Sequence, residues 1–233
     1  MSIEETLAEI GDVRGWLTDA QARRLFACAS RLPGGATVVE IGSYHGRSTI
    51  VLARGAPASE LVVIDPYTGA GGGEADLAEF RANVDRAGLS GRVRHVRSTS
   101  RAAVDEVSGP VDLLYVDGAH DIRSAFGDVR SWGSRVAEGG TMFVHDAFSA
   151  IGVTVAQVGL LFASRHYRYL GRSRSLAEYR REDVSGLARA RNCARQLAQL
   201  PWFVRNVLVK VGLTTRMRWL CVLLRHHDDV YPY

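Results

Sequence analysis

The segment 37–49 is the part of the sequence that most restricts the fold. Three of the residues 38–41 are β-branched and apolar, which is typical of a buried strand. Gly42 and Gly46 follow, and glycine suits a place where the chain turns sharply and the backbone passes close to a ligand. Ser48 then opens an apolar segment with the pattern of a helix start. The segment predicts a strand, a turn and a helix, and the glycines indicate either a ligand site or an ordinary turn.

The spacing of the glycines in the turn favours a bulkier ligand without phosphates. The acid and the glycines follow E-x-G-x-x-x-G, not the G-x-G-x-x-G of dinucleotide-binding proteins, whose closely spaced glycines admit a pyrophosphate. The segment resembles the first motif of class I S-adenosylmethionine-dependent methyltransferases. The resemblance implies that the loop passes beneath the methionine part of the cofactor, with Glu40 near its ammonium group. The cofactor-binding positions expected here are Glu40, Gly42, Ser43, Tyr44, Gly46 and Ser48.

Further cofactor contacts are expected where the next strands end. A second buried strand ends in Asp65, whose carboxylate can accept hydrogen bonds from both ribose hydroxyls of an adenosine cofactor. A helix cap or a surface acid is the alternative for Asp65. A third strand ends at Ser98, and the resemblance implies a contact with adenine there. Asp117, after the fourth strand, completes this set. The glycine-rich residues 66–76 predict a loop at the mouth of the site, either a lid or a surface insertion.

Strand and helix patterns alternate five times between residues 37 and 146, with a turn at 138–140 before the fifth strand. The alternation predicts an α/β fold with a Rossmann-like, doubly wound, mostly parallel sheet and helices on both faces. Segments 167–171 and 176–179 are expected to add an antiparallel hairpin. Right-handed crossovers bring the strand ends to one sheet edge. The residues expected to meet there are Glu40, Asp65, Ser98, Asp117 and Asp146.

Asp117 and His120 form the most specific chemical signal, because a carboxylate at a strand end and an imidazole three residues later can face one pocket. Asp146, after the fifth strand, would be their neighbour. Two close carboxylates repel unless a cation or a proton lies between them. A divalent ion such as Mg²⁺ takes oxygen ligands and can lower the pKa of a bound hydroxyl. His120 can then remove the hydroxyl proton.

The region 37–163 resembles the metal-dependent sugar O-methyltransferases of the macrocin and mycinamicin type. The resemblance implies that Asp117 and Asp146 bind the metal and that His120 is the catalytic base, with Asp117 beside it. Those enzymes carry an acidic pair after the fifth strand, whereas this sequence has His145 and Asp146. His145 is therefore either a third ligand or a neighbour of the ligands. His45 is expected to be a loop residue without a role in proton transfer, and Asp121 a helix cap.

Composition limits the class of protein. The sequence has 233 residues, 46% hydrophobic, which is typical of a globular chain. Its three cysteines are scattered, so neither a disulfide framework nor a zinc site is expected. The acidic N-terminus lacks the pattern of a signal peptide. We therefore expect a cytoplasmic protein.

The two ends of the chain differ in character. Residues 1–35 predict a helical cap with a capping box at Thr18, residues 36–182 the methyltransferase domain, and residues 183–233 a basic amphipathic helical extension. Within the extension, a helix is expected to stop at Pro201. Residues 201–225 mix aliphatic and cationic side chains, which fits packing on the core, a second subunit in a homo-oligomer, or peripheral contact with anionic membrane. Nucleic acid is not expected as a partner, because aliphatic runs interrupt the basic residues.

These patterns lead to one main functional hypothesis and two rivals. The main hypothesis is an S-adenosylmethionine-dependent O-methyltransferase that acts on a hydroxyl of a sugar, a glycolipid or a related small molecule, with help from a divalent metal. The rivals are a nucleotide-dependent oxidoreductase of Rossmann type and a non-catalytic membrane-associated protein with a relic methyltransferase fold. The spacing of Gly42 and Gly46 argues against the oxidoreductase.

Overall fold

The computed structural model describes residues 1–68 and 72–227. Within these ranges the strands are β1 Thr37–Ile41, β2 Glu60–Ile64, β3 Val93–Val96, β4 Val111–Val116, β5 Val136–Val144, β6 Tyr167–Ser173 and β7 Leu176–Arg181. The α-helices are α1 Ile3–Glu9, α2 Asp19–Ala29, α3 Arg47–Gly55, α4 Glu74–Arg86, α5 Ile122–Gly133, α6 Ile151–Leu160, α7 Gly186–Leu197, α8 Leu200–Thr214 and α9 Arg218–Leu223. One 3₁₀-helix, Ala102–Glu106, lies between β3 and β4.

The seven strands form one sheet in the order β3-β2-β1-β4-β5-β7-β6. Strands β1 to β5 pair in parallel, and β7 is antiparallel to both β5 and β6. The predicted α/β fold and its terminal hairpin are confirmed. Because the parallel strands point the same way, the loops that follow β1, β2, β4 and β5 lie along one edge of the sheet.

Successive strand residues face opposite sides of the sheet, and each side has its own apolar core. Val38 and Leu113 face the core that α2, α3 and α4 cover. Val39 and Leu114 face the other core, which α5, α6 and the start of α8 cover. Both faces of the central strands are therefore buried, which explains why their sequences are continuously apolar.

Two connections differ from the sequence prediction. The chain crosses from β3 to β4 through the 3₁₀-helix, so the strand–helix alternation is not complete at that step. The turn predicted at 138–140 lies inside β5, whose pairing with β4 shifts register between Val111 and Leu113. Gly139, at φ +75°, supplies the left-handed conformation that this irregularity needs.

The prediction that Pro201 stops a helix is wrong. Helix α7 ends at Leu197, and Pro201 lies in the first turn of α8. A proline is tolerated there because the backbone N–H groups of the first turn have no intrahelical partner. The same residue type thus marks a helix start here and not a stop.

The segment that joins the two N-terminal helices is hydrogen-bonded to the start of α3. The capping box predicted at Thr18 is confirmed, with Gln21 as its second member. Arg47, the first residue of α3, donates from its guanidinium to the carbonyl oxygens of Ile10, Val13 and Leu17, at 2.5, 2.9 and 3.0 Å. The segment between α1 and α2 is therefore tied to the residue that directly follows the glycine loop.

The extension beyond β7 consists of α7, α8 and α9. Asn192 of α7 binds the backbone of the edge strand β6, accepting from Tyr169 N at 2.7 Å and donating to Tyr167 O at 3.0 Å. This pairing covers an edge that would otherwise expose unpaired backbone groups. Across residues 1–68 and 72–227, none of the helices has the length and apolar character needed to cross a membrane.

Gly152 allows α6 to approach the loop that carries His120. A Cβ atom at position 152 would lie 2.2 Å from the carbonyl oxygen of His120. We expect Gly152→Ala to lower the free energy of unfolding by about 1–3 kcal/mol, because an added methyl in a packed contact forces the backbone apart. Urea denaturation measures this change.

Gly127→Ala in α5 is the matched control, since nothing lies within 4 Å of a Cβ atom there. This control is expected to be neutral or to stabilise by up to ~1 kcal/mol through helix propensity. Equal losses in the two variants would contradict the packing argument.

Candidate active site

The glycine loop between β1 and α3 passes directly over the end of β4. Gly42 has φ +82°, and a Cβ atom there would lie 2.1 Å from the carbonyl oxygen of Asp117. Gly46 has φ +86° and forms the N-cap of α3. Only glycine satisfies both the left-handed conformation and the close backbone approach at position 42. The loop therefore brings the β1 end and the β4 end into direct contact.

Asp65, after β2, holds this loop in place. Its carboxylate accepts hydrogen bonds from the backbone N–H groups of Ser43, Tyr44 and Tyr67, at 2.9, 3.2 and 2.9 Å. The Tyr67 hydroxyl in turn donates to Tyr44 O at 2.8 Å. Asp65 thus has a structural task in addition to the ribose contact predicted for it, and it remains half-buried at the sheet edge.

Glu40 lies beneath the loop and has no exposed surface. The hydroxyls of Ser48 and Thr49 donate to its two carboxyl oxygens. Burial raises the pKa of Glu40 to about 8, although these hydrogen bonds act in the opposite direction. A carboxyl that is mostly neutral at pH 7 is a weaker partner for an ammonium group, and the predicted contact between Glu40 and the cofactor stays a prediction.

Aromatic rings line the outer side of the loop. The ring of Tyr44 stacks on His45 at 3.8 Å, and Trp16 from the segment before α2 lies 5.1 Å from Tyr44. The buried His45 binds Asp76 of α4 through Nε2 at 2.8 Å, which gives it a structural role in holding the loop. Trp16 is half exposed. The segment before α2 therefore places an aromatic side chain beside the glycine loop.

Ser98 lies two residues after β3 and is half-buried, at the same sheet edge as Asp65. Its neighbour Ser100 donates to Asp128 of α5, and burial raises the pKa of Asp128 to about 6. Asp128 also lies close to Gly118, because a Cβ atom at 118 would be 2.8 Å from Asp128 Oδ2. The adenine contact predicted for Ser98 stays a prediction.

The second half of the site is a cluster of two carboxylates and two imidazoles after β4 and β5. His120 Nε2 lies 3.1 Å from Asp146 Oδ2 and 3.8 Å from Asp117 Oδ1. His145 Nδ1 lies 3.2 Å from Asp117 Oδ1 and 3.3 Å from Asp146 Oδ2. His145 is buried, whereas the side chain of His120 is 49% exposed. The structure thus brings together all four residues that the sequence placed in the metal and proton-transfer site, with His120 at the solvent side.

The charges in this cluster offset one another. Burial by itself would raise the pKa of Asp117, but the neighbouring imidazoles of His145 and His120 outweigh it and lower that pKa. The nearby carboxylate of Asp117 raises the pKa of His120 against the effect of burial. Burial opposes protonation of His145, yet Asp117 and Asp146 raise its pKa to about 10. The pocket therefore favours positive charge between its carboxylates.

The donor set fits a divalent cation. One ligand atom each from Asp117, His120 and Asp146 lies within 4.8 Å of the others. Asp146 Oδ1 and His145 Nε2 are buried and have no hydrogen-bond partner among the described residues. Carboxylate oxygens are the preferred ligands of Mg²⁺. The third member of this group is His120, whereas the sequence analysis considered His145 as either a third ligand or a neighbour of the ligands.

Three residues of the site escaped the sequence analysis. Tyr115 donates from its hydroxyl to Asp117 Oδ2 at 2.9 Å. The strand period of two places Tyr115 and Asp117 on one face, so this contact had a signal in the sequence. Trp16 and Tyr67 reach the loop only through tertiary contacts, for which a single sequence has no local signal.

Left-handed backbone conformations at bulky residues gather around the site. Tyr44, Tyr67, Asp146 and Phe148 have φ values between 46° and 55°. Such conformations cost free energy for residues with a Cβ atom and persist where the surroundings enforce them. They occur in the loops after β1, β2 and β5, which supports a functional role for this edge.

Other predicted features lie apart from the cluster. Asp121 caps α5 by accepting from Ser124 N at 3.0 Å, which confirms its predicted role. His226 follows α9, at the end of the extension. The loop 66–76, for which a lid and a surface insertion were the alternatives, is described only in part, since residues 69–71 lie outside the described ranges.

Comparison with known proteins finds similarity to methyltransferases. Residues 39–147 match a family model described as a methyltransferase domain. A Mycobacterium tuberculosis protein named catechol O-methyltransferase is 34% identical over 110 residues, which cover 47% of this chain and 46% of that protein. The chain thus matches about half the length of this relative.

Solved methyltransferase structures share the fold. The SAH-bound methyltransferase PaMTH1 of Podospora anserina superposes with a TM-score of 0.60 at 18% identity, over 78% of this chain and 86% of that one. The O-methyltransferase of Bacillus cereus, also in complex with SAH, gives 0.60 at 17% identity, over 77% and 90%. Residues 39–147, just under half of the chain, are therefore similar to a methyltransferase domain, and the chain shares the fold of these solved methyltransferases.

Proposed function

We propose that the protein transfers a methyl group from S-adenosylmethionine to a hydroxyl group of a small molecule. The observation that carries this proposal is the position of the cluster of Asp117, His120 and Asp146. It lies beside the glycine loop, and the carbonyl of Asp117 directly meets Gly42. A cofactor held by the loop and an acceptor held by the cluster would be neighbours.

The reaction is an in-line displacement at the sulfonium methyl group. The acceptor oxygen forms a bond to the methyl carbon, the carbon–sulfur bond breaks, and the hydroxyl proton leaves. His120 takes that proton in its neutral form, because it is the exposed imidazole of the cluster. Asp117 orients His120 and in turn accepts from Tyr115. The main task of the protein is to align the oxygen with the methyl group.

A divalent cation such as Mg²⁺ belongs to this proposal. Asp117 and Asp146 would hold it, with His120 or His145 as the third ligand. When bound, it would polarise the acceptor hydroxyl and lower its pKa. Asp146 has one carboxylate oxygen without a hydrogen-bond partner among the described residues, which supports this role.

Two similarities to other proteins suggest the class of acceptor, and an activity assay can distinguish between the two classes. The resemblance at Asp117 and His120 favours a sugar hydroxyl, as in a glycoside or glycolipid. The name of the Mycobacterium tuberculosis relative makes catechols the second class to test. Incubation with labelled S-adenosylmethionine and a panel of both classes, with product detection by mass spectrometry, decides between them. A complete lack of transfer in the presence of Mg²⁺ would contradict the proposal.

Calorimetric titration tests cofactor binding without knowledge of the acceptor. We expect S-adenosylmethionine and S-adenosylhomocysteine to bind far more tightly than NAD, because the glycine spacing does not suit a pyrophosphate. Tighter binding of NAD would instead support the rival assignment as an oxidoreductase.

Asp65→Ala is expected to weaken S-adenosylmethionine binding by about 1–3 kcal/mol, through lost hydrogen bonds to ribose and looser support of Ser43 and Tyr44. Asp112→Ala is the matched control. Asp112 also accepts from a backbone N–H, that of Thr37 at 2.8 Å, but it lies near the opposite end of β4. The control should keep full affinity, and an unchanged affinity of Asp65→Ala would remove Asp65 from the cofactor site.

A further inference from the structure

Helices α8 and α9 expose an apolar surface on the side away from the core. On α8, Val204, Leu208 and Val211 recur at the spacing of one helix face, and on α9 Trp219, Val222 and Leu223 do the same. These six side chains, which we call the C-terminal face, are 39% to 70% exposed. Apolar side chains exposed in this number on two packed helices of a folded chain indicate a binding partner.

The face belongs to a firmly packed pair of helices. A Cβ atom at Gly212 of α8 would lie 2.9 Å from Cys221 Sγ of α9, so the two helices are in close contact. Arg205 of α8 donates to the carbonyl oxygen of Leu224 at 3.0 Å, at the end of α9. The inner side of α8 carries Asn206 and Val209, which are fully buried. Helix α8 therefore packs on the core through its other side, and the exposed aliphatic residues lie on its outer side.

The charged residues between positions 200 and 227 all have the same sign. Residues 200–227 contain five arginine or lysine residues and no aspartate or glutamate. Arg216, Arg218 and Arg225 are exposed next to the apolar residues of α9. Aliphatic side chains and a tryptophan bordered by arginine are the combination that anionic lipid interfaces bind.

This charge pattern distinguishes between the possible binding partners of the C-terminal face. A second copy of the chain, related by two-fold symmetry, would place this positively charged surface against the same surface of its partner. Nucleic acid would meet the arginines and leave Trp219, Val222 and Leu223 in water. An anionic bilayer satisfies both the apolar and the charged residues.

The face is also connected to the candidate active site. On the inner side of α8, Asn206 Nδ2 donates to Phe148 O at 3.2 Å, and Lys210 Nζ donates to Ser149 O at 3.1 Å. Phe148 and Ser149 follow Asp146 within three residues. One helix, with a diameter of about 10 Å, therefore separates the face from the loop that carries Asp146.

The rim of the active site is itself apolar. Ile122 and Ile151, the first residues of α5 and α6, are 50% and 57% exposed. Both lie near His120, because a Cβ atom at Gly152 would be 2.2 Å from His120 O and 2.7 Å from Ile122 N. An acceptor with an apolar portion next to its hydroxyl fits this rim.

We propose that the C-terminal face docks on anionic membrane and presents the cluster of Asp117, His120 and Asp146 to a lipid-linked hydroxyl acceptor. The docking part stands on the surface of α8 and α9 alone. The acceptor part rests on the proposed methyltransferase function.

The test for docking is co-sedimentation of the full chain with vesicles. We expect binding to phosphatidylcholine vesicles that contain about 30% phosphatidylglycerol, with strong weakening in about 0.5 M salt and little binding to pure phosphatidylcholine. Leu223→Ser with Trp219→Ser should weaken binding about tenfold or more, because two apolar anchors leave the interface.

Leu187→Ser is the matched control, since Leu187 on α7 is 66% exposed and Leu223 70%. This control should keep vesicle binding. No binding to anionic vesicles at low salt would overturn the proposal. An equal loss of vesicle binding in the control would also overturn it. A dimer in sedimentation velocity that only the Trp219/Leu223 variant disrupts would indicate a second copy instead, and tighter binding to duplex nucleic acid than to vesicles would indicate nucleic acid; both outcomes would overturn the proposal.

Turnover separates the docking proposal from the proposed function. The Trp219/Leu223 variant should methylate a dispersed acceptor at the parent rate and lose about tenfold or more with the same acceptor embedded in vesicles. Vesicle binding without methyl transfer to any acceptor would leave the docking intact and contradict the methyltransferase activity. Equal rates of both proteins on embedded acceptor would overturn the lipid-linked acceptor.

Discussion

We expect His120→Ala to bind S-adenosylmethionine as tightly as the parent protein and to lose about 10²–10⁴-fold in methyl transfer, the usual contribution of a general base. His120 is the solvent-side imidazole of the cluster, 3.1 Å from Asp146 and 3.8 Å from Asp117. An alcohol is a poor nucleophile until it is deprotonated or polarised by a metal. Single-turnover rates together with calorimetric cofactor titration measure the two quantities.

His166→Ala is the control for this variant, because His166 is exposed and its nearest acidic partner is Asp183. A second measurement separates two roles of His120. If His120 acts as the base, the affinity for Mg²⁺ stays at the parent value. If His120 is a metal ligand, as its place in the three-residue group allows, the affinity for Mg²⁺ falls together with turnover. Turnover within threefold of the parent would exclude both roles.

Asp146→Ala is expected to remove the metal dependence of the reaction and to lower turnover by about 10²-fold or more, because a Lewis acid contributes several kcal/mol to the transition state. The parent enzyme should be inhibited reversibly by a chelator and restored by added Mg²⁺. The side chain of Asp146 is 4% exposed and has one carboxylate oxygen without a hydrogen-bond partner in the described part of the chain.

Asp146→Asn separates the effect of the lost charge from an effect on the fold. Position 146 has φ +53°, a conformation that asparagine tolerates better than alanine. A loss of metal dependence in Asp146→Asn with an unchanged melting temperature would assign the effect to the carboxylate. Turnover of the parent that persists in chelator, on a verified acceptor, would show that Asp146 holds no catalytic metal.

The strand ends of this fold were predictable because their signals are local. The apolar runs before Asp65, Asp117 and Asp146 are short, bounded by turns and rich in β-branched residues, and parallel topology brings their ends to one edge. The cluster of Asp117, His120, His145 and Asp146 follows from that topology. Asp121 was likewise recognisable as a cap from its position before a helix.

The parts that escaped prediction depend on contacts between distant residues. Arg47 reaches Ile10, Val13 and Leu17, more than 25 residues away, and no local pattern encodes that choice. Tyr67 meets Ser43 and Tyr44 only after two strands have paired. Pro201 is compatible with a helix start or a helix end, and the packing of α8 on the core decides between them.

The contacts of Arg47 have a consequence for the shortest fragment that keeps the glycine loop intact. The segment that matches the methyltransferase family begins at residue 39, yet Arg47 takes three carbonyl acceptors from the stretch before α2. Removing residues 1–35 would leave a partly buried guanidinium without those partners, directly behind the glycine loop. The matched segment and the unit that folds around it therefore differ in length, and a fragment trimmed to the matched segment would lose the shape of the glycine loop first.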